Sequence, residues 1–259
     1  MNIIDGDGFE NIAKNTDGVE YVETHDLSDY LYSGEPIADI VVSHNSDGNI
    51  VKENPRDFDC EWIPDRVPKN LRRLYAQNCL VEDPRIVPIP IGLERIRWNP
   101  DKRKHLKKLM DNPMPKAGLA CMCHEISTNP EERQEPYDLL SVGGWMSATH
   151  GKNGDDFKKY INQLARHTFV ICPAGHGADC HRQFEALCVG TIPIVKESVW
   201  AEKFSLLFPM VIVKSWEQVE YQLLEREMVR LRSKMDYFKY LDISWWERLI
   251  RKGRTLDNS

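Results

Sequence analysis

Two hydrophobic periods alternate along the chain. Short apolar runs with strand character occur at Glu20 to Val22, Ile40 to Ser43, Leu74 to Ala76, Ile86 to Ile91, Leu119 to Met122, Thr168 to Cys172, Ile192 to Val195 and Met210 to Val213. From about Leu119 onward these runs alternate with stretches at helical spacing: Pro130 to Leu140, Asp155 to Arg166, Asp179 to Val189, Val199 to Leu206 and Trp216 to Arg232. Strands alternating with helices predict an α/β fold with a parallel sheet covered on both faces, as in nucleotide-binding domains.

The first hundred residues are less regular, with loops at "SHNSDGN", "ENPRDFDCEWIPDRVPKN" and "NCLVEDP", and read as a smaller α/β half. A charged segment, "NPDKRKHLKKLMDNPMPK", separates it from the rest and predicts a linker with a short helix between Pro100 and Pro113. The expected division is therefore residues 1–112 and residues 113–259. No internal repeat is visible.

Composition narrows the function classes. A chain of 259 residues can bury a sizeable core. Its net charge of −6 conceals an asymmetry: residues 1–50 hold eleven acids and one base, the remainder 33 bases and 29 acids. Neither part is the basic face that nucleic-acid binding requires. No apolar run is long enough to span a bilayer, and "MNIIDGDGFE" lacks the basic start and apolar core of a signal peptide. Seven cysteines without a disulfide-scaffold spacing point to reduced thiols, and the expected location is the cytoplasm. Oligomeric state has no signature in the sequence.

The densest candidate chemistry lies in "HTFVICPAGHGADCHRQFEALCVGTIPIVKES", where a strand pattern breaks at Pro173 and a helical one ends at Gly190. Asp179 is placed to cap the helix, a role that is structural in itself. Cys180, Phe184, Leu187 and Cys188 form a core stripe, which puts Arg182 and Glu185 on the opposite side. Alone, that pair is a weak surface contact. Its setting adds to it: Gly175 and Gly177 let backbone approach a ligand, and a helix start after a strand binds anions. The loop ends in neither the Gly-Lys-Ser/Thr of nucleoside triphosphatases nor the dinucleotide fingerprint.

The segment Pro173, Gly175, Gly177, Asp179, His181, Arg182, Glu185, Ala186, Gly190, Ile192 and Pro193 resembles the donor-binding part of exostosin-like glycosyltransferases. The resemblance extends more loosely to "VVSHNSDGNI", "RLYAQNC", "VPIPIGL" and "STNPEERQEPYDLL". It implies a GT-B-like fold, two Rossmann-like halves facing across a cleft, here with a reduced N-terminal half. It also implies a nucleotide-diphosphate sugar as donor, a glycan or glycoconjugate hydroxyl as acceptor, inversion at the anomeric carbon and no essential metal.

Within that reading, Gly175, Gly177, Asp179, His181, Arg182 and Glu185 bind the donor. Arg182 and the helix start hold the diphosphate, and Glu185 holds the ribose. A general base is expected from the opposite wall, where "ADIVVSHNSDGN" offers His44 and Asp47, although Ser, Asn, Asp and Gly are also ordinary turn residues. Trp62, Trp98 and Trp145 are placed to stack on sugar rings, while Trp245 and Trp246 suit packing of a C-terminal helix. A metal-dependent hydrolase is the chemical rival, because "CMCHE" and "HGADCH" bring Cys121, Cys123, His124, His176, Cys180 and His181 into view. Their spacing does not match a zinc knuckle, which favours buried thiols. The remaining alternative is a non-catalytic sugar-nucleotide or glycan-binding module.

Overall fold

Each half is built on its own parallel sheet in the computed structural model, which describes residues 1–46, 48–52, 60–62, 67–149, 157–234 and 236–256. In the N-terminal half the strands are β1 (Val19–Glu23), β2 (Ile40–His44), β3 (Asn49–Val51), β4 (Cys60–Trp62), β5 (Arg73–Ala76) and β6 (Ile86–Pro88). The main sheet runs β1-β2-β5-β6, and β3 pairs with β4 beside it. The C-terminal half holds β7 (Gly118–Met122), β8 (Met146–Ala148), β9 (His167–Ile171), β10 (Ile192–Lys196) and β11 (Val211–Val213), in the order β11-β10-β9-β7-β8. All of these pairings are parallel. The two-half, Rossmann-like and GT-B-like architecture with a smaller N-terminal half is therefore present.

Nine α-helices cover the sheets among the described residues: α1 (Gly6–Lys14), α2 (Leu27–Tyr32), α3 (Pro100–Asp111), α4 (Pro130–Leu140), α5 (Phe157–Arg166), α6 (His181–Cys188), α7 (Val199–Ser205), α8 (Tyr221–Leu231) and α9 (Ile243–Arg251). The linker helix forms as α3, with Asn99 accepting from the Lys102 N–H at 3.1 Å and Pro100 in the first turn, where its missing N–H costs nothing. Helix α1 was not expected from the sequence. Asp5 caps it through the Gly8 N–H at 2.8 Å, and Phe9, Ile12 and Ala13 bury one face despite two glycines. Gly6 is needed there, because a Cβ would overlap the Asn45 side chain at the end of β2.

Several boundaries differ from expectation for physical reasons. The run from Ile86 pairs only as far as Pro88: the Ile89 N–H still reaches the Ala76 carbonyl at 3.0 Å, where β5 ends, and Pro90 beyond it has no N–H. The expected Trp216 to Arg232 helix splits, because Trp216 is fully buried in a 3-10 turn and Val219 is extended before α8 begins. The start expected at Asp179 moves to His181: Cys180 is the cap residue and its N–H donates to Gln183 Oε1 at 3.0 Å. For α5, residues 155 and 156 lie outside the described set.

One hydrophobic core joins the halves, running from Ile4, Phe9 and Tyr75 through Val170 and Phe184 to Trp246. The chain's end closes this core. Helix α9 returns to the N-terminal half, where the Tyr75 hydroxyl donates to the Arg254 carbonyl at 2.8 Å and Ile3 bridges Asp242. Trp246 is fully buried there, as expected of a packing residue.

Candidate functional site

Strand order places the site. In the C-terminal sheet, chain direction across the sheet reverses between β7 and β9: β8 is added on one side, β10 and β11 on the other. Loops leaving the carboxyl ends of two such strands part in opposite directions, and ligands of open parallel sheets bind in the crevice between them. The loop after β9 and the start of α6 form one wall of this crevice. The N-terminal sheet's main strands follow in sequence order and create no such opening among the described residues.

Arg182 stands at this position with its Nε and Nη1 buried and without a hydrogen-bond partner. A buried charged donor left unpaired costs several kcal/mol. Its electrostatic neighbours are the Tyr160 hydroxyl and the thiols of Cys172, Cys123 and Cys180. Burial pushes the Tyr160, Cys172 and Cys180 groups up, so they remain protonated and do not neutralise it. Among the described residues no carboxylate pairs with this guanidinium.

Nearby Arg133, on α4, is the opposite case. Its Nε donates to the Ala174 carbonyl and its Nη1 to the Glu125 carbonyl, both at 2.8 Å, and Asn129 donates to the Gly175 carbonyl at 2.8 Å. These bonds fix the loop. A Cβ on Gly175 would lie 2.9 Å from Arg133 Nη2, so this glycine makes room for the arginine. Gly177 turns the loop by accepting from the Gly175 N–H at 3.0 Å.

The other expected donor residues join the halves. Asp179 is buried and accepts from the Ile91 N–H through Oδ2 at 2.8 Å, while its own N–H donates to Asn78 Oδ1 at 2.8 Å; Oδ1 of Asp179 has no partner. Burial raises its carboxyl to about 8. Glu185 is enclosed: Tyr160 donates to it at 2.6 Å, and Lys102 of α3 forms a close ion pair with it. Burial works to raise the Glu185 carboxyl, but Lys102 and Tyr160 outweigh that and hold it below the usual range. His181 donates Nδ1–H to the Gly92 carbonyl at 2.8 Å.

Between the halves lies a cleft of about 500 Å³ over the carboxyl ends of β1, β2 and β5. Its walls include Glu23, His44, Gln77, Arg97, Trp98 and His181. His44 is buried, stacks on Phe9, accepts from the Asn45 N–H at Nδ1 (2.8 Å) and donates from Nε2 to the Pro90 carbonyl (3.1 Å). Burial lowers it to about 4 and keeps it neutral. Asp47 lies outside the described residues, as does the side chain of Trp62. Trp98 is exposed at the cleft between Arg95 and Arg97, which sit over its ring at 5.6 and 5.5 Å. Trp145 instead packs against the second core of the C-terminal half.

The thiols of the rival reading line a strand face: Cys121, Cys123 and Cys172 are buried, and His176 is exposed. Among the described residues no three His, Cys, Asp or Glu side chains converge as a metal site. Sequence reasoning passed over Arg133, Asn78 and Arg97. The first two lie within segments noted for their resemblance, and "LERIRWNP" carries the arginine-tryptophan alternation that marks the cleft rim.

The family described as the RXYLT1 C-terminal domain matches residues 143–254, which include α6 and its loop. Ribitol-5-phosphate xylosyltransferase 1 of Homo sapiens is 23% identical over 220 residues, covering 73% of this chain and 48% of that protein. The protein of the same name from Mus musculus is 24% identical over 152 residues, 49% of this chain and 34% of its own length. The chain thus spans about half or less of the relatives it matches. No described helix is long and apolar enough to cross a membrane.

Proposed function

We propose that the protein is a glycosyltransferase that moves a sugar from a nucleotide-diphosphate sugar to a hydroxyl of a glycan or glycoconjugate, with inversion and without an essential metal. The observation that carries this reading is the pair of buried, unpartnered nitrogens of Arg182, Nε and Nη1, at the start of α6, where the strand order reverses. A leaving diphosphate supplies the two things missing there: negative charge and acceptor oxygens. The first N–H groups of α6 add fixed dipoles to the same charge. Gly175 and Gly177 shape the approach, and Asp179 and Glu185 hold α6 against the N-terminal half so that the donor meets a fixed wall.

Both named relatives are xylosyltransferases, which supports a transferase and makes a nucleotide-linked pentose the first donor to try. Their name also gives ribitol 5-phosphate as the first acceptor. The exostosin-like resemblance supports the same reaction class. The described cysteines are free thiols, which suits the cytoplasm. In the reaction the acceptor oxygen attacks the anomeric carbon from the face opposite the diphosphate. The bond to the diphosphate breaks with its electron pair, and the acceptor proton passes to a base in the cleft.

The test is thermal unfolding of wild type and Arg182→Ala with nucleoside diphosphates and their sugars. Stabilisation by one base's nucleotides, lost in the variant, is expected. Stabilisation without turnover on any acceptor would indicate the binding module, and no stabilisation by any nucleotide would overturn the reading.

A further inference from the structure

We infer that His181 is the general base of this reaction, an assignment that rests on the transferase reading and adds to it the group that takes the acceptor's proton. A base needs a lone pair that faces the substrate and is not already used. The Gly92 carbonyl accepts Nδ1–H of His181 at 2.8 Å, which leaves Nε2 as the unprotonated nitrogen. Among the described residues no hydrogen bond engages Nε2, the residue is part-exposed, and the ring lines the cleft between the halves.

The other described candidate fails this requirement. Both nitrogens of His44 are engaged, Nδ1 by the Asn45 N–H and Nε2 by the Pro90 carbonyl. Its buried ring resists protonation.

The backbone arrangement that holds His181 is specific. Gly92 has φ +69°, and a Cβ there would strike the Ile4 carbonyl, so only glycine turns this carbonyl toward α6. On α6 itself, His181 and Arg182 are consecutive and therefore about 100° apart, one facing the cleft and the other the crevice. A sugar with its diphosphate at Arg182 then presents its anomeric carbon near the junction of the two spaces.

Proton balance is complete. As the acceptor oxygen bonds to the anomeric carbon, its proton moves to Nε2 and the departing diphosphate keeps the electron pair of the broken bond. The resulting imidazolium retains Nδ1–H on the Gly92 carbonyl. Glu185, one turn along α6, is the carboxylate of the same helix, and it is paired with Lys102 of α3. Among the described residues of the N-terminal half, the other charged or titratable groups lining the cleft are Glu23, His44, Glu94, Arg95 and Arg97.

His181→Asn separates the roles of the ring, since the asparagine amide N–H can replace Nδ1–H toward Gly92 while nothing replaces Nε2. Turnover is followed as nucleoside diphosphate release from a panel of UDP- and GDP-sugars, with ribitol 5-phosphate or water as acceptor. The expected result is a loss in kcat of about 10²-fold or more, unchanged nucleotide-induced thermal stabilisation, and disappearance of the acid limb of the wild-type pH profile. Turnover within about threefold of wild type, or loss of nucleotide stabilisation along with turnover, would overturn the assignment. Wild type that neither binds nor consumes any donor would instead sink the transferase reading. Ring ¹⁵N shifts check the assignment independently of activity: an Nδ1–H tautomer with accessible Nε2 is expected, and an Nε2–H tautomer refutes it.

Discussion

At the carboxyl ends of β2 and β5, polar side chains spend their hydrogen bonds on one another. Asn45 N–H donates to Gln77 Oε1 at 2.8 Å, Arg95 Nε donates to Asn45 Oδ1 at 3.1 Å, and Asn78 Oδ1 receives the Asp179 N–H at 2.8 Å. Beyond β9, in the other half, Arg182 keeps two buried donors unused. Both regions are polar and both lie at the carboxyl ends of parallel strands. Among the described residues only the second contains an unmet demand for negative charge, and such a demand is what a binding site has and a scaffold lacks. On the proposed reading, the first region holds the cleft fixed while His181 and the Arg182 wall enter from the other side.

Arg182 and Arg133 should differ most in what their removal does. Arg182→Ala should leave the ligand-free protein at least as stable, remove nucleotide-induced stabilisation and lower kcat/KM about 10³-fold, equivalent to ~4 kcal/mol of transition-state stabilisation. Arg133→Met should do the reverse. It strands the Ala174 and Glu125 carbonyls and loosens the loop, costing roughly 3 kcal/mol of folding stability in a urea titration. A strong loss of stability in Arg182→Ala, or none in Arg133→Met, would mean that the two arginines have been assigned each other's work.

Much of the fold was legible because buried parallel strands leave near-continuous apolar runs: Ile40 to Ser43, Leu119 to Met122 and Thr168 to Cys172 all fall within or against observed strands. Helix α1 was hidden by Gly6 and Gly8, which read as a turn until the close approach of Asn45 explains Gly6. In the site, the pairing of Arg182 with a helix start could be read locally, since both depend on residues a few positions apart. The tasks of Asp179, Glu185 and His181 could not. Their partners are Ile91, Lys102 and Gly92, some eighty to ninety residues away, and only the folded chain brings them together.

Asp179 tests the scaffold side by titration. Its carboxyl stands at about 8 in the folded protein against 3.8 when exposed, so between those values the folded state holds a proton that the unfolded state releases. Stability from this group is full below the lower value and is lost as pH rises toward the upper one. From about pH 5 to about pH 7 the loss should be roughly 2.5 kcal/mol relative to Asp179→Asn, whose amide can still accept from Ile91 and does not ionise. A wild type whose stability profile runs parallel to that of Asp179→Asn would show that water or an unseen partner solvates this carboxylate.

His44 should bend the same profile in the other direction, with a smaller amplitude. Its ring is held near 4 by burial against an ordinary 6.5, so below the higher value the unfolded chain takes up a proton that the folded chain refuses. Its contribution is present above 6.5 and is lost as pH falls toward 4, about 2 kcal/mol of it by roughly pH 5. His44→Gln should flatten this acid side. The glutamine amide can still donate to the Pro90 carbonyl, and the Asn45 N–H keeps Gln77 as its acceptor. If that variant instead kept the acid-side loss of stability while its turnover collapsed, the proton-accepting role would return to β2. The distinction between a saturated scaffold in one half and an unsaturated site in the other would then fail at its most exposed point.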